Sequence, residues 1–161
     1  MDDGVAQTFR DAMAGLASAV AVVTARRDDG HPCGLVATSV ASFSAQPPSV
    51  LVSISHSSRC HTALITSGAF GVHVLAADQE VIAGVFADRG DDKFGGVEWE
   101  WDGDVPRLTG ALSFLRCRRS ALFELYDHSL LVGDVSAGEV RDGRPLVYME
   151  RSMGWRIEPG G

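Results

Sequence analysis

The chain has 161 residues, 45% of them hydrophobic and 22% charged, with a formal net charge of −7. That is the balance of a globular protein able to build a core without staples, and a single domain over residues 1–161 is expected. The acidic balance argues against nucleic acid or an anionic membrane as partner, since both are bound through clustered Lys and Arg, and no run approaches the ~18 apolar residues that span a bilayer.

The chain begins acidic and without a secretory pattern, so a cytoplasmic protein is expected. Thr8 is placed to cap a short helix over residues 9–16, with Phe9, Met13 and Leu16 on one face. Ala19 to Ala25 reads as a strand, and Asp28-Asp29-Gly30 as the turn of a hairpin whose second strand enters at Cys33. Leu35 to Ser44 and Ser49 to Ser55 read as two strands flanking the corner Gln46-Pro47-Pro48, because proline has no N–H and restricts the residue before it. Their small hydroxyl residues leave room for a flat ligand, and the polar cluster from His56 to Thr62 offers donors for an anionic tail. A hydroxyl-rich edge of an ordinary β-barrel fits the same residues.

Thr62 to Ser67 reads as a short helix stopped by Gly68. Ala69 to Leu75 alternates as a strand, with Phe70, Val72 and Val74 on one side and Gly71 and His73 on the other. Asp78 is placed to cap a helix from Gln79 to Phe86. Residues 87–96 are the most charged segment, read either as a solvated connector or as a site rim. Val97 to Trp101 carries two tryptophans at period two, Pro106 to Thr109 reads as a turn, and Ala111 to Ser120 as a half-buried strand. Glu124 to His128 leads into a strand from Ser129 to Val140, and Pro145 to Met149 forms the last one. Many short strands with few helices predict a mainly β barrel rather than a doubly wound parallel sheet.

The sequence lacks GxGxxG, GxxxxGK[ST] and GxSxG, so neither a dinucleotide fold, a P-loop nor a nucleophile elbow is expected. Asp91-Asp92 reads as a solvated pair. The histidines show no HxH or HExxH spacing, so no metal site is expected. Cys33, Cys60 and Cys117 have no zinc or CxxC spacing, and buried thiols are the default reading, with a disulfide or a nucleophile as alternatives. Asp127-His128, just before an apolar strand, is a pair suited to hold an imidazole beside a ligand.

The pieces FRDAM, VAVVTA, GLVATSVASFSAQPPSVLVSIS, SSRCHTALITSGAFGVHVL, DDKFGGVEW, LRC, YDHSLLVGDV and PLVYM, in this order, resemble the flavin reductase-like family. These are FMN-binding split barrels that serve as reductase components of two-component flavin-dependent monooxygenases. The resemblance covers Phe9 to Ile157. It implies a homodimeric split β-barrel with a few short helices that binds FMN or FAD, reduces it with NADH or NADPH, and releases reduced flavin to a separate monooxygenase. It implies that Val36, Ala37, Thr38 and Ser39 line the isoalloxazine, with Ser53 and Ser55 on the adjoining strand. Ser58, Arg59 and Cys60 match the turn that receives the phosphate through backbone N–H groups and a guanidinium. Lys93 and Phe94 match the loop over the flavin, and His128 the catalytic histidine near the nicotinamide. Three positions depart from the family pattern: Tyr126 replaces a glycine, His73 an asparagine and Cys60 a threonine. A split barrel that keeps its flavin and reduces another substrate, and a flavin-binding module without turnover, stand as alternatives. No residue decides FMN against FAD, or NADH against NADPH, although Arg26, Arg27 and Arg89 are candidates to meet a 2′-phosphate.

Overall fold

β-Branched and small residues dominate between Val20 and Met149, and strands are what they form. The computed structural model describes residues 3–161. In chain order the elements are α1 (Asp3–Ala14), β1 (Ser18–Ala19), β2 (Ala21–Arg26), β3 (Pro32–Ala37), β4 (Val40–Ala45), β5 (Pro48–Ser55), α2 (His61–Thr66), β6 (Ala69–Val74), α3 (Glu80–Ala87), β7 (Trp99–Asp102), β8 (Val105–Leu108), β9 (Ser113–Leu125), β10 (His128–Val140), β11 (Val147–Met149) and β12 (Ser152–Trp155). The mainly β expectation holds. Seven strands make one sheet in the order β3-β2-β6-β9-β10-β5-β4, beside the smaller sheets β1-β11-β12 and β7-β8. Every pairing in the large sheet is antiparallel.

The stretch Leu35 to Ser44, read from sequence as one strand, is two. It breaks at Thr38-Ser39, and its halves lie at opposite edges of the sheet. In a flat sheet of this size the outer strands would stand about 29 Å apart, at ~4.8 Å per spacing. A two-residue link reaches at most about 11 Å. The sheet therefore curls until its two edges meet at this corner. Ser39 fastens the corner: its hydroxyl donates to the Ser53 carbonyl at 2.8 Å, and the Ser53 N–H donates to the Ser39 carbonyl at 3.3 Å.

Curling gives the sheet an inside and an outside, and β2 is buried on both faces, so it reads as a continuous apolar run rather than an alternation. Ala21, Val23 and Ala25 join Val52, Ile54, Phe70, Val72 and Leu131 inside the curl, where Leu64 of α2 also packs. Val20 and Val22 point outward to a second cluster with Leu75, Phe86, Phe94, Leu108 and Leu146. Helix α3 presses on β3 at Gly34, where a Cβ would stand 2.7 Å from the Phe86 ring, so no larger residue fits without moving that helix.

Several local expectations are corrected. Thr8 lies inside α1, its hydroxyl donating back to the Gly4 carbonyl at 2.9 Å rather than capping the helix. Residue Asp78 does not cap α3. The flanking position is Gln79, whose side chain accepts from the Ala76 N–H and donates to the Gly110 carbonyl, both at 2.8 Å. Pro106 sits within β8, not in a turn; β8 pairs only with β7, so a strand without one N–H is tolerated there. Strands β9 and β10 each run 13 residues, longer than their sequence signals, because they support one another along a single hairpin.

The strand pattern puts His73 on the polar side of β6, yet it is fully buried. The Leu108 N–H donates to its Nε2 at 3.1 Å, which leaves the proton on Nδ1, and that N–H donates to the Val22 carbonyl at 3.0 Å. The ring thus ties β2 to β8 across β6.

Candidate functional site

Of the residues singled out in sequence, Val36, Ala37, Thr38, Ser39 and Ser53 lie at the seam where the curl closes. Ala37 ends β3 and is buried; Thr38 and Ser39 form the link and are exposed. Ser53 lies beside them through its hydrogen bonds to Ser39. Ser55 continues along β5 opposite His128 of β10, which puts the two on one face of the sheet. Val36 packs partly against the outer cluster and, with Ala37, Thr38, Val20, Tyr148 and Met153, lines a cavity of about 290 Å³. Tyr148 and Met153 carry no signal of this in the sequence; they come from β11 and β12, which no local motif ties to the seam.

Beyond Ser55 the chain turns through Ser57 and Ser58 into α2. The Ser57 and Cys60 N–H groups donate to the Ser55 and Ser58 hydroxyls, and those of Ser58 and His61 to the Ser55 and Ser58 carbonyls. Four of the turn's N–H groups are therefore spent on its own shape, and attraction for an anion falls to cations around it. Arg59 provides one and forms an exposed pair with Asp91 of the charged loop. Lys93 provides another; its ammonium donates to the Phe86 carbonyl at 3.0 Å and the Gly34 carbonyl at 3.4 Å. Partial burial holds its pKa below the ordinary lysine value, with Asp88 opposing that shift and Arg59 adding to it. Arg27 is the third, paired with Asp29 at 3.1 Å; with Arg59 and the carboxylates of Asp28, Asp29 and Asp91 it lines a cavity of about 570 Å³. Phe94, the other member of the expected loop pair, is buried against Phe86 and Trp99, with ring centroids 5.2 Å away in each case. Its ring belongs to the outer core, and it anchors the loop that carries Lys93. Of the remaining arginine candidates, Arg26 stacks over the Trp101 ring at 5.8 Å.

Cys60 and Cys33 form a disulfide, with Cα atoms 5.8 Å apart, and only Cys117 is a free, buried thiol. This corrects the default reading of three thiols. The partners are 27 residues apart in sequence, and only the curl brings β3 to the turn after β5. Closing a loop of that length removes about 3.5 kcal/mol of unfolded-state entropy. Reduction with dithiothreitol, or Cys33→Ser, is expected to lower the unfolding free energy by about that amount, read from urea midpoints with and without reductant. Burial pushes the Cys117 thiol up to about 12, so it should resist thiol reagents until the protein unfolds.

His128 opens β10 and pairs with Ser55 of β5. Its Nδ1 lies 2.8 Å from the Asp127 carboxylate, which can only accept, so the proton sits on Nδ1 and Nε2 is left free. The hydrogen bond from His128 is the main cause holding the Asp127 carboxyl below its ordinary pKa. Tyr126, in the turn just before, has a left-handed backbone (φ 56°) and is 91% exposed, so its ring stands clear of the protein.

A seam of small hydroxyl side chains, with three cations at one end and a polarised imidazole on the same face, suits a flat ligand with an anionic tail. A nucleotide with a flat ring has that shape, and the side chains present fit it. Comparison with known proteins gives that class its family. The family model for the flavin reductase like domain matches residues 13–155, and the chain belongs to this family. It is 44% identical over 141 residues to the NADH:riboflavin 5'-phosphate oxidoreductase of Streptomyces pristinaespiralis, covering 86% of this chain and 79% of that one. It is 38% identical over 149 residues to an FMN reductase (NADH) of Agrobacterium fabrum, covering 92% and 84%. Among solved structures, the NADH:FAD oxidoreductase of Streptomyces globisporus in complex with NAD and FAD fragments superposes with a TM-score of 0.89 at 28% identity, covering 99% of this chain and 96% of that one.

Proposed function

We propose that this chain, as a single domain, is an NADH-dependent flavin reductase that reduces FMN or FAD and passes free reduced flavin to a partner monooxygenase. What carries the reading is the seam: Thr38, Ser39, Ser53 and Ser55 set small hydroxyl side chains along it, which would form the slot for the ring, and Arg27, Arg59 and Lys93 line one cavity beside Cys33 and Cys60. The flavin would supply the hydride-accepting chemistry. Thr38 to Ser55 would hold its ring, Arg59 and Lys93 its phosphate, and His128 would orient the nicotinamide through its free Nε2. Mixing the protein anaerobically with excess FMN and NADH tests this. Bleaching of many flavins per protein is expected; a single stoichiometric bleach, or none, would contradict it.

Arg59 is the cation most open to a ligand, and an exposed pair with Asp91 is worth ~1 kcal/mol or less, so a phosphate can displace the carboxylate. Arg59→Ala is expected to raise the KM for FMN about tenfold with kcat within about twofold, the loss of one charge-assisted contact. Riboflavin, which lacks the phosphate, should show little difference between the two proteins in steady-state assays.

The proposal includes a homodimer. Phe43, Phe123, Leu125 and Leu130 are exposed (63%, 59%, 60% and 37%). Strand register places Phe123, Leu125 and Leu130 on the face that carries His128 and Ser55. An apolar sheet face of this kind beside a cofactor slot is suited to a second copy of the chain. Phe123→Asp is expected to shift the mass measured by light scattering from two chains to one. A cytoplasmic location would keep the Cys33–Cys60 pair in reach of thiol–disulfide exchange. Among the described residues, no helix is long and apolar enough to cross a membrane.

A further inference from the structure

Two histidines and a glutamate that the flavin reading leaves unused converge on the opposite face of the same sheet. Ser129 pairs with Ile54 on β5 and with Glu124 on β9, so Ser129 and Glu124 share a face that His128, one residue earlier, does not. The Ser129 hydroxyl is buried and lies 3.1 Å from His56 Nε2 and 2.8 Å from His61 Nε2. The two imidazoles meet edge to face with centroids 5.0 Å apart. One nitrogen from each ring and one Glu124 oxygen lie within 4.8 Å of one another. Nothing in the local sequence announces this. The two histidines stand five apart on either side of a turn, and the carboxylate arrives from a distant strand.

We propose that His56, His61 and Glu124 form a binding site for a divalent transition metal, with Zn²⁺ the best match. Two imidazoles and one carboxylate are a common donor set for that ion, and a fourth position is left for water. Around Zn²⁺ the ligand atoms sit about 2.0–2.2 Å from the metal. His56 and Glu124 are exposed and can rotate the short distance needed to close the set, whereas His61, at the start of α2, is half-buried. Ser129 is the orienting partner: the two lone pairs of its hydroxyl can accept an Nε2–H from each ring, which leaves both Nδ1 atoms unprotonated for the metal. A bound ion would bridge the turn at residues 56–61 to the end of β9 that carries Glu124.

The test is titration of chelator-stripped protein with Zn²⁺ against a chromophoric chelator, alongside Co²⁺ absorption spectra and thermal unfolding. The expected result is one equivalent bound, a visible Co²⁺ band of nitrogen–oxygen type, and a higher Tm with metal. Glu124→Gln and His61→Ala should each weaken binding about tenfold or more. Glu124 is exposed and lies outside the flavin slot, so Glu124→Gln should keep the fold and the metal-free reductase rate. Absence of a bound equivalent would overturn the proposal. So would binding that both variants leave unchanged, which would place the ion elsewhere.

Discussion

Replacing His128 by alanine is expected to lower kcat for NADH-dependent FMN reduction about 100-fold while moving the Kd for FMN less than about threefold. The asymmetry follows from where the ring stands. It pairs with Ser55 on one face of the sheet, where it would meet the nicotinamide, while Arg59 and Lys93 would hold the phosphate. Its Nδ1–H is committed to Asp127 at 2.8 Å, so one tautomer is selected and Nε2 is presented to the ligand. Asp127→Asn removes the acceptor that selects this tautomer, and a smaller fall in kcat, with a changed pH profile, is expected. Steady-state kinetics with separate flavin-binding titrations decide the matter. Equal loss of turnover and of flavin affinity on His128→Ala would mean that the ring supports the flavin rather than the transfer.

The second large effect is on stability against pH. Burial, with the Arg107 guanidinium nearby, lowers the His73 pKa to about 4, the hydrogen bond to Val22 opposing the shift. The unfolded chain returns the ring to an ordinary value near ~6.5. A depressed histidine pKa means the folded state binds the proton less well than the unfolded state. The stabilisation is thus complete above ~6.5 and is lost as pH falls toward 4, reaching about 2 kcal/mol by pH 5 and about 3 kcal/mol at its limit. Asp11, Asp29 and Asp127 have carboxyl pKa values held below 3.8, so their own contributions are lost only at lower pH. Urea midpoints at pH 7, 6 and 5 should fall steadily for the native protein and stay nearly level for His73→Asn. A native protein with level midpoints across that window would show that the ring is not sealed from water.

Much of this architecture was legible because its signals are local. The Asp28-Asp29-Gly30 turn joins β2 to β3 as read, and Gly30 takes the positive φ of 85° such a turn favours. Gln46-Pro47 separates β4 from β5, with Pro48 already the first residue of β5, and Gly68 follows α2. What failed to show was set by distant contacts. The break at Thr38-Ser39 follows from closure of the whole sheet, not from those two residues. The Cys33–Cys60 bond and the His56–His61–Glu124 group need the same closure before their members meet. His73 looks polar in a strand pattern, yet its two hydrogen bonds to Val22 and Leu108 satisfy it in the core. Phe94 sits in a charged segment, so its neighbours in sequence disguise a core anchor.

A crystal of this protein soaked with FMN gives the most direct check. The ring should lie against Thr38, Ser39, Ser53 and Ser55, with the phosphate drawn to Arg59 and the imidazole of His128 open on the same face. A ring found elsewhere, or that slot filled by neighbouring side chains, would contradict the account.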